Sequence, residues 1–171
     1  MAESRDIQGS REIYNSAEPE YERHYFDEDT GGFVLIHHDH QTTESDRFIA
    51  RTLANLGRRV KLLSEQAPEG VRTPDANVDD EIYEFKELTE QSKSLRNRVQ
   101  EGLGKARSQG AKVVVYHINR ASYDIEQINR GIRQALFWDR EQQIQAISLV
   151  FQTGEMQTIT REEWENGNRF R

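Results

Sequence analysis

The sequence predicts an α/β fold in which a mixed central sheet is flanked by helices. Three observations carry that expectation. Residues 112–118 form a continuous apolar run, the pattern of a strand buried on both faces. Apolar residues recur at helical spacing in two places, Ile49, Ala50, Leu53 and Leu56, then Leu95, Val99, Leu103 and Ala106. Helical and strand patterns also follow one another over 171 residues, a length that fits one domain and can bury a core.

Residues 1–24 are polar and acidic without an apolar period, and read as a loose helix or a disordered lead-in. Asp29-Thr30-Gly31-Gly32 is a turn signal, and residues 33–36 after it read as a short strand. Thr43 is placed to cap the next helix, with Asp46 three residues on completing an approximate capping box and Gly57 as the stop. Residues 58–63 read as a strand and 68–70 as loop. Residues 76–78 are a short strand, Asp79-Asp80 a hairpin turn, and residues 81–88 the return strand. A helix is expected over 92–108, weakened by Gly102 and Gly104. After the strand at 112–118, a helix begins near Ser122 with Ile125, Ile128, Ile132, Ala135 and Leu136 as its stripe. Strands at 146–151 and 156–160 close the pattern, and the last residues read as frayed. The expected layout is an acidic lead-in at 1–28, a domain at 29–160 and a tail at 161–171.

Composition excludes some chemistries. There is no cysteine, so disulfides and thiolate zinc sites are out. No apolar run approaches the ~20 residues of a membrane helix, and residues 1–12 lack the apolar core of a secretory signal. The cytoplasm is the default expectation, with delivery by a larger system equally consistent. The net charge of −7 is unevenly spread. Residues 1–47 hold 12 acidic and 4 basic side chains, while 48–171 hold 18 and 19, so the later part is free to carry a basic face.

The residues that promise chemistry lie at 75–86. On a strand, Ile82, Glu84 and Lys86 point one way and Tyr83, Phe85 and Glu87 the other. A hairpin through Asp79-Asp80 would carry Asp75 to the far end of that strand, where its carboxylate and that of Glu84 meet. Two carboxylates suit a hard divalent cation, Mg²⁺ or Mn²⁺. Such an ion activates water and stabilises charge growing on a phosphodiester. A lysine two residues from the glutamate orients or deprotonates that water, or neutralises the developing charge. Alone, Glu-x-Lys is a common solvated pair; the preceding Pro74-Asp75, the hairpin and the following helix give it weight.

Pro74-Asp75 with Glu84-Phe85-Lys86 resembles the PD-(D/E)XK nuclease superfamily. The wider pattern is narrower: Asp46-x-x-x-Ala50-x-x-Leu53-Ala54-x-Leu56-Gly57-x-x-Val60-x-Leu62-Leu63, then Pro-Asp-Ala, then Glu-Phe-Lys, then a helix ending Ala-Arg-Ser-Gln-Gly-Ala-Lys-Val-Val-Val. It resembles the nuclease domains at the C-termini of CdiA-type contact-dependent toxins, and related domains fused to phage head proteins. The resemblance covers about residues 29–160. It implies a restriction-endonuclease-like αβββαβ core and metal-dependent cleavage of nucleic acid, often tRNA in the toxin branch. It also implies metal held by Asp75 and Glu84, catalysis by these with Lys86, and an immunity protein as a further partner. The family's acid on the first helix, usually Glu, matches Asp46, one methylene shorter; Glu44 lies about 200° round the helix.

Other features are weighed beside these. Lys93, Arg96 and Arg98 open the 92–108 helix directly after Lys86 and are candidates for phosphate contact, or a solvated face. His37, His38, Asp39 and His40 follow the first strand; with His38 and His40 sharing a strand face, contact with a substrate phosphate or a plain strand end is favoured over a zinc site. His117 reads as a core or edge histidine. Two other functions remain open: a DNA endonuclease of phage or mobile-element origin, and a non-catalytic binding module on the same fold.

Overall fold

The computed structural model describes residues 6–71 and 73–171. By contact pattern the chain divides into a first unit ending at Glu81 and a second, Ile82–Arg171. Both mix parallel and antiparallel pairing with helices, so the expected α/β class holds.

In the first unit, α1 (Ile7–Asn15) precedes β1 (Tyr21–Phe26), β2 (Phe33–His37), α2 (Glu44–Asn55), β3 (Arg59–Leu62) and β4 (Ala76–Val78). β1 runs antiparallel to β2, β2 parallel to β3, and β3 antiparallel to β4. The stretch read as a loose helix or a disordered lead-in holds an ordered helix, and also a strand, from residue 7 onward; residues 1–5 lie outside the described residues. The reason is local. Asp6 accepts from the Gly9 N–H at 2.9 Å and caps α1, and Tyr14 packs with Phe33 and Leu35. α2 has the predicted cap: Thr43 Oγ1 accepts from the Asp46 N–H, and Asp46 Oδ2 accepts from the Thr43 N–H, both at 3.0 Å. Gly32 lets β2 approach that helix, since a Cβ there would stand 1.7 Å from the Ala54 carbonyl oxygen. Asp79 and Asp80 have φ of 48° and 71°, the left-handed pair expected of a two-residue hairpin turn.

The second unit contains most of β5 (Glu81–Thr89), then α3 (Leu95–Ser108), β6 (Val113–Asn119), α4 (Ile125–Trp138), β7 (Ala146–Phe151), β8 (Met156–Thr160) and α5 (Arg161–Glu165). β5, β6 and β7 are parallel in that order, and β8 is antiparallel to β7. Val99, Leu103, Val114, Tyr116, Ile128 and Ile132 anchor one core, each at most 1% exposed. Gly102, read as a weak point of α3, is needed there: an added Cβ would lie 2.5 Å from the Tyr116 hydroxyl oxygen, which donates to the Val99 carbonyl at 2.8 Å.

The frayed C-terminus is a second correction. Thr160 and Glu163 form a capping box that starts α5, and Trp164 and Phe170 are 7% and 3% exposed. Asn129 clasps the end, its side chain donating to the Phe170 carbonyl and accepting from the Phe170 N–H. Among the described residues no helix is long and apolar enough to cross a membrane.

Candidate active-site residues

Asp46 and Asp75 belong to the first unit. α2 fixes Asp46 at its third position, because the capping box commits one carboxylate oxygen to the Thr43 N–H. Asp75 sits at the entrance to β4, where its carbonyl accepts from the Leu63 N–H at 2.9 Å. The two acids are close enough to interact. Burial raises the Asp46 carboxyl above the ordinary aspartate range and the charge of Asp75 pushes it the same way; the Thr43 hydrogen bonds and His40 oppose the rise. Glu44 is different: it is fully exposed at the first turn and paired with Arg47 at 3.4 Å. Of these two acids, Asp46 is the one that interacts with Asp75.

Glu84 and Lys86 belong to the second unit and share a face of β5, as period-two alternation requires. Lys86 Nζ stands 3.7 Å from Glu84 Oε2. The two differ in depth: Glu84 is 2% exposed while Lys86 is only half-buried. A carboxylate this deep is kept only when it is paired or holds a cation.

The histidines do not continue β2 as a strand. β2 ends at His37, and the His40 N–H donates back to the His37 carbonyl at 2.9 Å, so His38 and His40 lie in a turn and do not share a strand face. His38 stacks on His37 at 4.6 Å between ring centroids. His40 turns inward and is 8% exposed. A nitrogen of its ring and carboxylate oxygens of Glu65 and Asp75 lie within 4.8 Å of one another. Sequence reading gave Glu65 no role, because it lies in an unpatterned loop 25 residues from His40. A cleft of about 700 Å³ opens over this region, lined by His24, His37, His38, His40, Thr43 and Arg47 among others.

Residues 72–156 match the family described as the contact-dependent growth inhibition CdiA C-terminal domain.

The matched stretch contains Asp75, Glu84 and Lys86 and the whole of α3; Asp46 and His40 precede it. No curated protein matches the chain. Among solved structures, the CdiA-CT/CdiI toxin and immunity complex from Burkholderia pseudomallei is similar at 18% identity and a TM-score of 0.45, covering 66% of this chain and 79% of that one. Within the CdiA C-terminal match, Lys93, Arg96 and Arg98 are exposed at the start of α3, with Lys93 just ahead of its first turn. His117 is a buried strand residue, 5% exposed.

Proposed function

We propose that the chain is a toxin-type nuclease of the PD-(D/E)XK kind, cleaving phosphodiester bonds in RNA, with tRNA the first substrate to test. The observation that carries this reading is the Glu84–Lys86 pair on one face of β5, a buried carboxylate beside a half-exposed ammonium, inside the stretch that matches the CdiA C-terminal domain. Asp75, nine residues before Glu84 and joined to it through the Asp79-Asp80 turn, supplies the second acid. Mg²⁺ or Mn²⁺ fits these residues, since burial and then the charge of Asp75 raise the proton affinity of Asp46, and a cation relieves that repulsion.

Asp75 and Glu84 would hold the ion, which when bound supplies Lewis-acid stabilisation of charge on the phosphodiester. Lys86 Nζ donates to the attacking water, orienting it, and offsets the negative charge as the water oxygen bonds to phosphorus and the bond to the leaving oxygen breaks; the water gives up its proton to solvent and the leaving oxygen takes one from solvent. Asp46, already held by the Thr43 cap, would help to position the site. Lys93, Arg96 and Arg98 contact backbone phosphates flanking the cut. The matching family is one of C-terminal domains, which supports delivery as part of a larger protein; neutralisation by an immunity protein belongs to the same proposal.

Purified protein with Mg²⁺ or Mn²⁺ should cut RNA, and EDTA should stop it. Lys86→Ala should lower the cleavage rate by about 10²–10⁴-fold while circular dichroism shows that the protein still folds. Wild-type cutting by the mutant would sink the assignment. DNA cut faster than RNA would move the substrate, and binding of nucleic acid without cleavage would make the domain a binding module.

A further inference from the structure

We infer that His40, Glu65 and Asp75 form a nitrogen- and oxygen-donor site for a divalent transition-metal ion, Zn²⁺ or Mn²⁺, within the first unit. The inference shares Asp75 with the proposed nuclease centre but stands on His40, to which that reading gives no part.

The ring of His40 is prepared as a ligand. Its Nδ1 lies 2.7 Å from Thr42 Oγ1. The Thr42 hydroxyl donates to the His40 carbonyl at 3.3 Å. Its lone pair therefore faces the ring and accepts from Nδ1–H, an assignment made from the hydrogen-bond pattern. Nε2 is then the unprotonated nitrogen, with its lone pair open. That atom is buried and has no hydrogen-bond partner among the described residues, in a residue more than nine-tenths buried. A buried acceptor left unmatched costs about 1–3 kcal/mol, and a metal ion meets that need. A hydrogen bond at the other ring nitrogen that fixes the tautomer is the usual support of a metal-bound histidine.

Two carboxylates complete the set. Glu65 is exposed, and its Oε2 is steadied by the Gln41 N–H at 2.8 Å. With Asp75 and His40 its donor atoms lie within 4.8 Å of one another. Ligands held at about 2.1 Å on one tetrahedral Zn²⁺ are about 3.4 Å apart, so a rotation of the exposed Glu65 side chain closes the set. Imidazole in the donor set favours Zn²⁺ or Mn²⁺ over Mg²⁺, which prefers oxygen and keeps its waters. The neighbouring cleft gives an ion a route in. The other histidine cluster, His37, His38 and Asp39, is less suited: His37 Nδ1 accepts from the Asp39 N–H at 3.0 Å, His38 Nδ1 lies 3.1 Å from the Glu20 carbonyl, and His38 Nε2 lies 3.2 Å from Asp39 Oδ1.

The test is calorimetric titration of the metal-stripped full chain with Zn²⁺, Mn²⁺ and Mg²⁺. One Zn²⁺ per chain should bind, more tightly than Mg²⁺. His40→Gln and Glu65→Ala should each raise the dissociation constant at least about tenfold, and His38→Ala should not. Glu65 is exposed, so its variant is informative even if His40→Gln folds poorly. With Mn²⁺ bound, electron spin-echo spectra should show coupling to an imidazole nitrogen that His40→Gln removes. Absence of Zn²⁺ binding, binding indifferent to Glu65→Ala, or loss that follows His38 would overturn the site. Cleavage by Lys86→Ala tests the nuclease reading separately: either result can occur with the metal site intact.

Discussion

A single missing methyl group sets how closely β2 meets α2. Gly32 tolerates the Ala54 carbonyl where any side chain would collide with backbone, and backbone cannot swing aside as a side chain does. Gly32→Ala should therefore lower stability by about 3 kcal/mol, the upper end for overpacking, read as a shift in the urea midpoint; an unchanged midpoint would mean that α2 slides freely on β2. The residues of the candidate site were legible to different degrees. The shared face of Glu84 and Lys86 followed from alternation along β5, and the place of Asp46 in the first turn of α2 from the Thr43 cap, because both rules act over two or three residues; a part for Asp46 in the site came from the family resemblance alone. The depth of Glu84 was not legible, since alternation gives a direction and not the layers above it. His40 was not legible either: a run of histidines after a strand looks alike whether it turns outward or, as here, folds one ring beneath the chain.

Among the elements, α5 has the most to lose from one substitution. Arg161, 8% exposed, bonds Asp139 Oδ2 at 3.0 Å and the carbonyls of Leu136 and Ile144 at 3.1 and 3.4 Å, while Asp139, 2% exposed, accepts from the N–H groups of Gln143 and Ile144. Every partner is in place, so the cost of removing one is the cost of a stranded buried charge. Arg161→Met should destabilise the fold by about 3–5 kcal/mol, measured by thermal melting; a loss under 1 kcal/mol would show that Asp139 finds water instead. Helix α5 escaped the sequence reading because its anchors, Trp164 and Phe170, stand six apart among Asn, Gly and Arg, with no helical period. What holds Phe170 is Asn129, 41 residues away, a partner only the fold supplies. The helices α2, α3 and α4 were legible because each carries three or more apolar residues on one face.

For the molecule as a whole, pH is the simplest lever. Burial lowers the affinity of His117 for a proton, with Glu87 opposing more weakly. The unfolded chain titrates this group near 6.5, so as pH falls through about 6.5 the unfolded state takes up the proton first and stability drops. The contribution is complete above that value and is lost below it. His117→Gln should shrink the difference in urea midpoint between pH 7.5 and 5.5; an identical difference in the two proteins would remove His117 from the account. The α/β class and the order of the elements from α2 to β8 were legible at this scale, because apolar periodicity is strong wherever an element is covered on one side or both. Residues 6–28 were legible only in part, as a loose helix or a disordered lead-in, since their charge outweighs the few apolar contacts of α1 and β1. The fit of Tyr116 over Gly102 also has an optical consequence. Of six tyrosines, this one is 1% exposed, and burial holds its phenol far above the ordinary range. In an alkaline titration followed by ultraviolet absorbance it stays silent until the second unit opens, so its delayed phenolate band serves as a built-in, label-free reporter of that opening.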